Sequence, residues 1–249
     1  VKEHGTIFQP WGVQCIKAGI KTQTRRLVSP STMLIDGRKY TSRSKYKGTL
    51  FNWDDFDWEK AVVRYCKTAY TPSKNLYVIH KDLRTLGPYL HVIHRNLCMA
   101  QSFCPEYQVG DHIWVRETHS KYKMPRDPAQ AKKENQNLYA GIRFKADGDK
   151  PWGNWRPSIF MLREDSRIIL KITDVRIERV QAITDEDAMA EGCNPELPII
   201  TRHFVHPRDN YAQIWDDINA KNGNSWKKNP WVIALDFRIL KITAGWNFC

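Results

Sequence analysis

The stretch from Arg167 to Val180 constrains the fold of this chain more than any other. It reads Arg-Ile-Ile-Leu-Lys-Ile-Thr-Asp-Val-Arg-Ile-Glu-Arg-Val, with apolar and polar residues alternating over most of its length. A period of two belongs to a half-buried strand, and a strand this long is expected to bend or carry a bulge. Such a strand needs partners. Candidates are His112 to Glu117 after the turn at Gly110-Asp111, Leu138 to Phe144 before the turn at 146–149, and the terminal run Trp231 to Leu240. Three helices accompany them, one ahead of these strands and two between the long strand and the last. Phe8 to Ala18 has Pro10 in its first turn and Gly19 as its stop. Ile183 to Gly192 has Thr184 as N-cap and acids in its first turn. Pro207 to Asn222 carries Tyr211, Ile214, Trp215 and Ile218 on one face, with Gly223 after it. Strands with short helices between them predict an α+β fold, a small β-barrel decorated by helices, in a single domain over residues 1–249.

Residues 31–105 follow a break at Ser29-Pro30-Ser31 and read as a folded insertion. They hold 12 basic and 6 acidic residues beside dense aromatics that include Tyr40, Tyr46, Phe51, Trp53, Phe56, Trp58, Tyr65, Tyr70 and Tyr77. Strand-like runs at Leu76 to Ile79 and Tyr89 to Ile93 argue against a linker. Bases of a single-stranded nucleic acid could stack on such aromatics. The same rings could instead form the insertion's own small core, and that reading is preferred. His91, His94, Cys98 and Cys104 offer zinc-type donors, but their spacing matches no common finger and no metal is assigned.

Composition bounds the rest. With 41% hydrophobic and 12% aromatic residues the chain can build a core, and no apolar run approaches the length that spans a bilayer. The six cysteines are scattered without a paired C-x-x-C, and no charged-then-apolar leader opens the chain, which starts at Val1 and reads as processed or trimmed. Reduced thiols and a cytoplasmic setting without membrane contact are expected. The surplus of 39 basic over 27 acidic residues, a net +12, predicts an anionic partner, with RNA, DNA or nucleotide phosphate the first expectation.

The densest chemistry is Gly19-Ile20-Lys21-Thr22-Gln23-Thr24-Arg25-Arg26, which places an amine, two hydroxyls and two guanidinium groups in six residues at a helix exit. If this segment makes a helical or tight turn, Lys21 and Thr24 share a face at i, i+3. A solvated basic turn is the alternative. Glu117, at a strand end, is a further carboxylate whose other role is an ion pair with Arg26 or Arg116. Trp155 and Arg156 lie in a Trp-rich irregular piece, Trp152 to Pro157, that could close over a ligand and stack on or clamp a base. No carboxylate cluster suited to Mg2+ stands out.

The string Gly19-x-Lys21-Thr22-x-Thr24-x-Arg26 resembles the signature of the ASCH superfamily, whose members have a PUA-like β-barrel. Gly110-Asp111 with its strand, the long strand before Ile183-Thr184, and the strand from Trp231 to Phe237 fall in that family's order. The likeness is nearest to longer ASCH-containing proteins of phages and bacteria, and covers roughly residues 8–30 and 107–240. The superfamily includes a small N4-acetylcytidine amidohydrolase that uses a Lys, a Thr and a Glu. The resemblance places these roles on Lys21, Thr24 and Glu191, and implies a modified cytosine nucleoside or base as substrate, with no cofactor; Arg26, Glu117, Trp155 and Arg156 are the candidate substrate-binding residues. In that chemistry Thr24 attacks the acyl carbonyl, a neutral Lys21 takes its proton, and Glu191 either orients Lys21 or donates a proton to the leaving nitrogen. Burial and the cations Arg25 and Arg26 are expected to keep Lys21 uncharged. The alternative is a PUA-like module that binds RNA or modified DNA without chemistry.

Overall fold

A computed structural model describes residues 1–29, 31–35, 38–39, 45–46, 49–50, 53–65, 68–71, 76–79, 87–93, 100–123, 139–193 and 206–243. Its strands, in chain order, are β1 (Glu3–Ile7), β2 (Gln23–Leu27), β3 (Met33–Ile35), β4 (Arg38–Lys39), β5 (Lys45–Tyr46), β6 (Thr49–Leu50), β7 (Val62–Tyr65) and β8 (Thr68–Thr71). They continue with β9 (Leu76–Ile79), β10 (Pro88–Ile93), β11 (Ala100–Pro105), β12 (His112–Arg116), β13 (His119–Lys123), β14 (Tyr139–Phe144), β15 (Ile168–Arg179) and β16 (Trp231–Ile242). The α-helices among the described residues are α1 (Pro10–Lys17), α2 (Asp185–Ala190) and α3 (Pro207–Asn219). The chain is therefore mixed α+β and mostly sheet. None of these helices is long and apolar enough to cross a membrane.

The main sheet has the order β1-β12-β15-β16-β2. β15 sits at its centre, as its alternation predicts, and buries Ile168, Leu170, Ile172, Val175 and Ile177. The expected bulges are present, as register shifts against β16 between Ile169 and Leu170 and between Ile172 and Asp174. β1 runs parallel to β12 and places Gly5 opposite Trp114, where any Cβ would overlap the indole ring. The expected barrel is not closed among the described residues: β1 and β2 are edges with no ladder between them. A side chain spans the gap instead, since Arg26 Nη2 on β2 donates to the Ile7 carbonyl on β1 at 2.9 Å.

Residues 31–105 contribute a second sheet, β4-β3-β11-β10-β7. Among the described residues its core is shared with the main sheet. Met33, Phe56, Leu90, Val92 and Phe103 share one apolar cluster with Ile113, Leu170, Ile172, Ile233 and Phe237 of the main sheet. Phe56 meets Phe103 edge-on at 5.1 Å, and the Trp58 carbonyl accepts from Trp231 Nε1 at 2.8 Å. Of the nine aromatics considered for a stacking groove, Phe56 is buried and Trp58 is half-buried against this cluster. The side chains of the other seven lie outside the described residues, as do His94 and Cys98 of the zinc-type set.

A smaller cluster, with Val180, Ile183, Ala188, Cys193, Tyr211, Trp215 and Val232, packs α2 and α3 against the main sheet beside β2. Thr184 caps α2 as expected, its hydroxyl accepting from the Asp187 N–H at 3.2 Å. Thr184→Ala should lower stability by about 1 kcal/mol, the usual loss for an N-cap hydroxyl, in urea unfolding. Thr184→Ser should keep most of it, and an unchanged midpoint for the alanine variant would contradict this.

Candidate active site

The site begins where α1 stops. Gly19 takes φ +73°, a conformation that suits glycine at a helix end. The Ile20 and Lys21 N–H groups then both donate to the Cys15 carbonyl, at 2.9 and 3.1 Å. The next residue is tied to a different helix, Thr22 N–H donating to the Ala190 carbonyl of α2 at 2.8 Å. From Gln23 the chain is a strand, not the turn anticipated for Lys21 and Thr24. Thr24 pairs with Leu235, and Arg26 with Ile233, on β16. Lys21 and Thr24 still face one cavity, because Lys21 precedes the strand and is aimed by the helix exit rather than by strand alternation. The stem of Lys21 passes over α1 at Gly12.

Glu191 arrives from the far end of the sequence. It is the C-cap of α2, its N–H bonded to the Asp187 carbonyl at 2.9 Å, and Gly192 at φ +92° turns the chain away immediately after it. A Cβ on Gly192 would sit 3.2 Å from Cys15 Cβ and Sγ, so the close approach of α2 to α1 needs glycine there. Lys21 Nζ donates to Glu191 Oε2 at 2.5 Å and to the Glu191 carbonyl at 2.7 Å. Both residues are 4% exposed. Lys21 is thus held in a buried ion pair by one residue that offers it two acceptors.

Thr24, 5% exposed, lines the same cavity, and no hydrogen bond within the described residues engages its hydroxyl. The cavity holds about 230 Å3 and is walled by Phe8 and Trp11 on one side and by Tyr211, Trp215 and Asn219 of α3 on the other. Sequence reasoning placed Tyr211, Ile214, Trp215 and Ile218 on one face of a helix and gave that face no part in the site. All four side chains are apolar or aromatic, and nothing in their spacing separates a core stripe from a cavity wall. Burial, reinforced by Glu191, holds the Tyr211 phenol well above its usual range, so it stays neutral.

Arg25 was expected as a cation bearing on Lys21. Instead it is absorbed by carboxylates: Nε donates to Glu178 Oε1 at 2.9 Å, Nη2 lies 2.8 Å from Asp187 Oδ2, and Nη1 lies 3.4 Å from Glu191 Oε1. Nη1 also donates to Gln23 Oε1. Burial alone would lower the Arg25 pKa, but Glu191, Tyr211 and Glu178 outweigh it and the net shift is upward. Burial likewise pushes Asp187 up, yet the Gln23 hydrogen bond and the charges of Arg25 and Arg176 bring it below the usual carboxylate range. This network fixes β2 against β15 and α2, and so fixes Thr24 relative to Glu191.

The other expected site residues lie elsewhere. Glu117, 1% exposed, pairs with neither Arg26 nor Arg116. It takes a two-pronged contact from Arg167, at 3.0 Å from Nε and 2.8 Å from Nη2, and Arg167 in turn holds Asp147. Burial raises the Glu117 pKa despite Arg167. Trp155 and Arg156 do not line the cavity. Their segment is folded onto the β13–β14 hairpin, with Arg156 bridged to His119 and the Trp152 carbonyl accepting from Ser120 Oγ at 2.9 Å. No group of three or more metal-ligating side chains occurs among the described residues. Comparison with family models, with curated proteins and with solved structures returned no match.

Proposed function

We propose that this cavity is the active site of an amidohydrolase that removes an acyl group from N4 of an acylated cytosine nucleoside. In this reading the protein is an ASCH-like member of the PUA-like group, its barrel left open between β1 and β2, working in the cytoplasm and encoded by a phage or a bacterium. One observation carries it: Lys21, Thr24 and Glu191, drawn from a helix exit, a strand and a helix end and each buried, meet at one cavity. The cavity, about 230 Å3, is smaller than the roughly 300–1,000 Å3 of a typical ligand pocket and suits a small planar group. Phe8, Trp11, Tyr211 and Trp215 offer rings against which a pyrimidine can stack.

The chemistry follows from the ion pair. A threonine hydroxyl attacks only when a base takes its proton. The proton between Lys21 Nζ and Glu191 Oε2 passes to the carboxylate, which leaves a lone pair on Nζ for the Thr24 proton. Thr24 Oγ1 then bonds to the acyl carbon, the carbon–N4 bond breaks, and the proton on Glu191 goes to the departing nitrogen. Water, deprotonated by the same amine–carboxylate pair, hydrolyses the acyl-threonine ester and restores the site. Glu191 thereby serves both of the roles that conflict in a static picture, at successive steps. Oxygen and proton counts balance with no cofactor.

The test is incubation with N4-acetylcytidine, following cytidine by chromatography. Wild type should release cytidine, and Lys21→Ala and Thr24→Ala should not. Inert wild-type protein, or variants as active as wild type, would refute the reading. The net +12 favours the second reading, a non-catalytic module for RNA or modified DNA. That reading requires oligonucleotide binding that weakens steeply with salt and ignores both substitutions.

A further inference from the structure

The cavity wall holds two neighbouring arginines with opposite fates. Arg25 is surrounded by Glu178, Asp187 and Glu191. Lys21 is matched by Glu191. Arg26 lines the same cavity and, among the described residues, has no carboxylate within ion-pair distance. Its one hydrogen bond there runs from Nη2 to the Ile7 carbonyl. Its guanidinium lies 5.0 Å from the Phe8 ring centroid, and its Nε is buried with no partner. Tyr107, Glu191 and Tyr211 bear on it only through space, and burial dominates, pulling it below the usual guanidinium range.

A guanidinium carries five N–H donors and no way to shed its charge in a protein. Leaving a buried donor unsatisfied is unfavourable, and such groups in a native fold call for an explanation. The planar fork of arginine matches phosphate oxygens better than any other side chain does. Position supports this. Thr24 and Arg26 are two residues apart on β2, so they project to the same side with their origins about 6.6 Å apart. A ligand whose acyl carbon lies at Thr24 would therefore present a neighbouring group to Arg26.

We infer that the preferred ligand of this cavity carries a phosphate held by Arg26, so that a nucleotide or a nucleic-acid residue binds ahead of the neutral nucleoside. The cytosine base in this statement rests on the function proposed above; the phosphate rests on Arg26 alone.

Calorimetric titration of the full chain with cytidine, cytidine 5′-monophosphate, a cytidine-containing dinucleotide and inorganic phosphate tests it. Wild type should bind the monophosphate or the dinucleotide roughly ten- to hundredfold more tightly than cytidine, the scale of a charge-assisted hydrogen bond. Preference for the monophosphate identifies a terminal phosphate, and preference for the dinucleotide an internal one. Arg26→Met should bring all of them within about twofold of cytidine, while Arg26→Lys, which keeps the charge without the fork, should retain part of the preference. Equal binding of cytidine and its phosphorylated forms by wild type overturns the inference, as does no binding of any of them. So does a preference that survives in a folded Arg26→Met protein. If Arg26→Met does not fold, the wild-type comparison and Arg26→Lys decide the matter. The outcome is separable from the hydrolysis test: release of cytidine from N4-acetylcytidine without a phosphate preference sinks this inference only, and phosphate preference without hydrolysis sinks the reaction only.

Discussion

Lys21→Met is expected to destabilise the protein by roughly 3 kcal/mol, near the lower end of what breaking a buried ion pair removes. The methionine fills the space of the lysine stem over Gly12, so little of the loss comes from packing. The loss comes from Glu191, left at 4% exposure with its principal partner gone. Arg25 Nη1, 3.4 Å from the other carboxylate oxygen, softens the effect but cannot replace a contact of 2.5 Å. The double variant Lys21→Met/Glu191→Met should recover most of the loss, because an apolar pair of similar volume leaves no stranded charge. Urea unfolding of the two variants reads this directly. A Lys21→Met protein within about 0.5 kcal/mol of wild type would mean that the pair is not buried as described.

Thr24→Val is expected to cut kcat/KM for N4-acetylcytidine by at least about a thousandfold with stability nearly unchanged. Valine keeps the shape and the β-branching that suit a strand position on β2, opposite Leu235, and removes only the hydroxyl. Because no described residue holds that hydroxyl in place, its removal strands no buried partner. A large kinetic loss without a stability loss is what separates a nucleophile from a packing residue.

Much of the frame was legible because it is periodic. The alternation of β15, the cap at Thr184, the stop at Gly192 and the face of α3 are local signals, and local signals survive into the structure. β2 was not legible. Gln23-Thr24-Arg25-Arg26-Leu27 has the composition of a solvated turn, and it becomes a buried strand only because Glu178, Asp187 and Glu191 arrive from more than 150 residues away to neutralise it. The partner of Glu117 was missed for a similar reason. Arg167 is 50 residues distant, whereas Arg116 is adjacent in sequence but on the other face of the strand. Of the aromatics read as a small core of residues 31–105, Phe56 and Trp58 lie in a core shared with the main sheet, since composition cannot say which sheet a ring faces. Of the seven expected site residues, Lys21, Thr24, Glu191 and Arg26 meet at the cavity; Glu117, Trp155 and Arg156 do not.

The central claim is that the amine, the carboxylate and the hydroxyl act as one unit. Steady-state kinetics of Lys21→Met, Thr24→Val and the double variant on N4-acetylcytidine test it most directly, because groups that share one proton-transfer step fail together. The account predicts that the double variant is no slower than the worse single variant. Losses that multiply, or a Thr24→Val enzyme that still turns over at the wild-type rate, would contradict it.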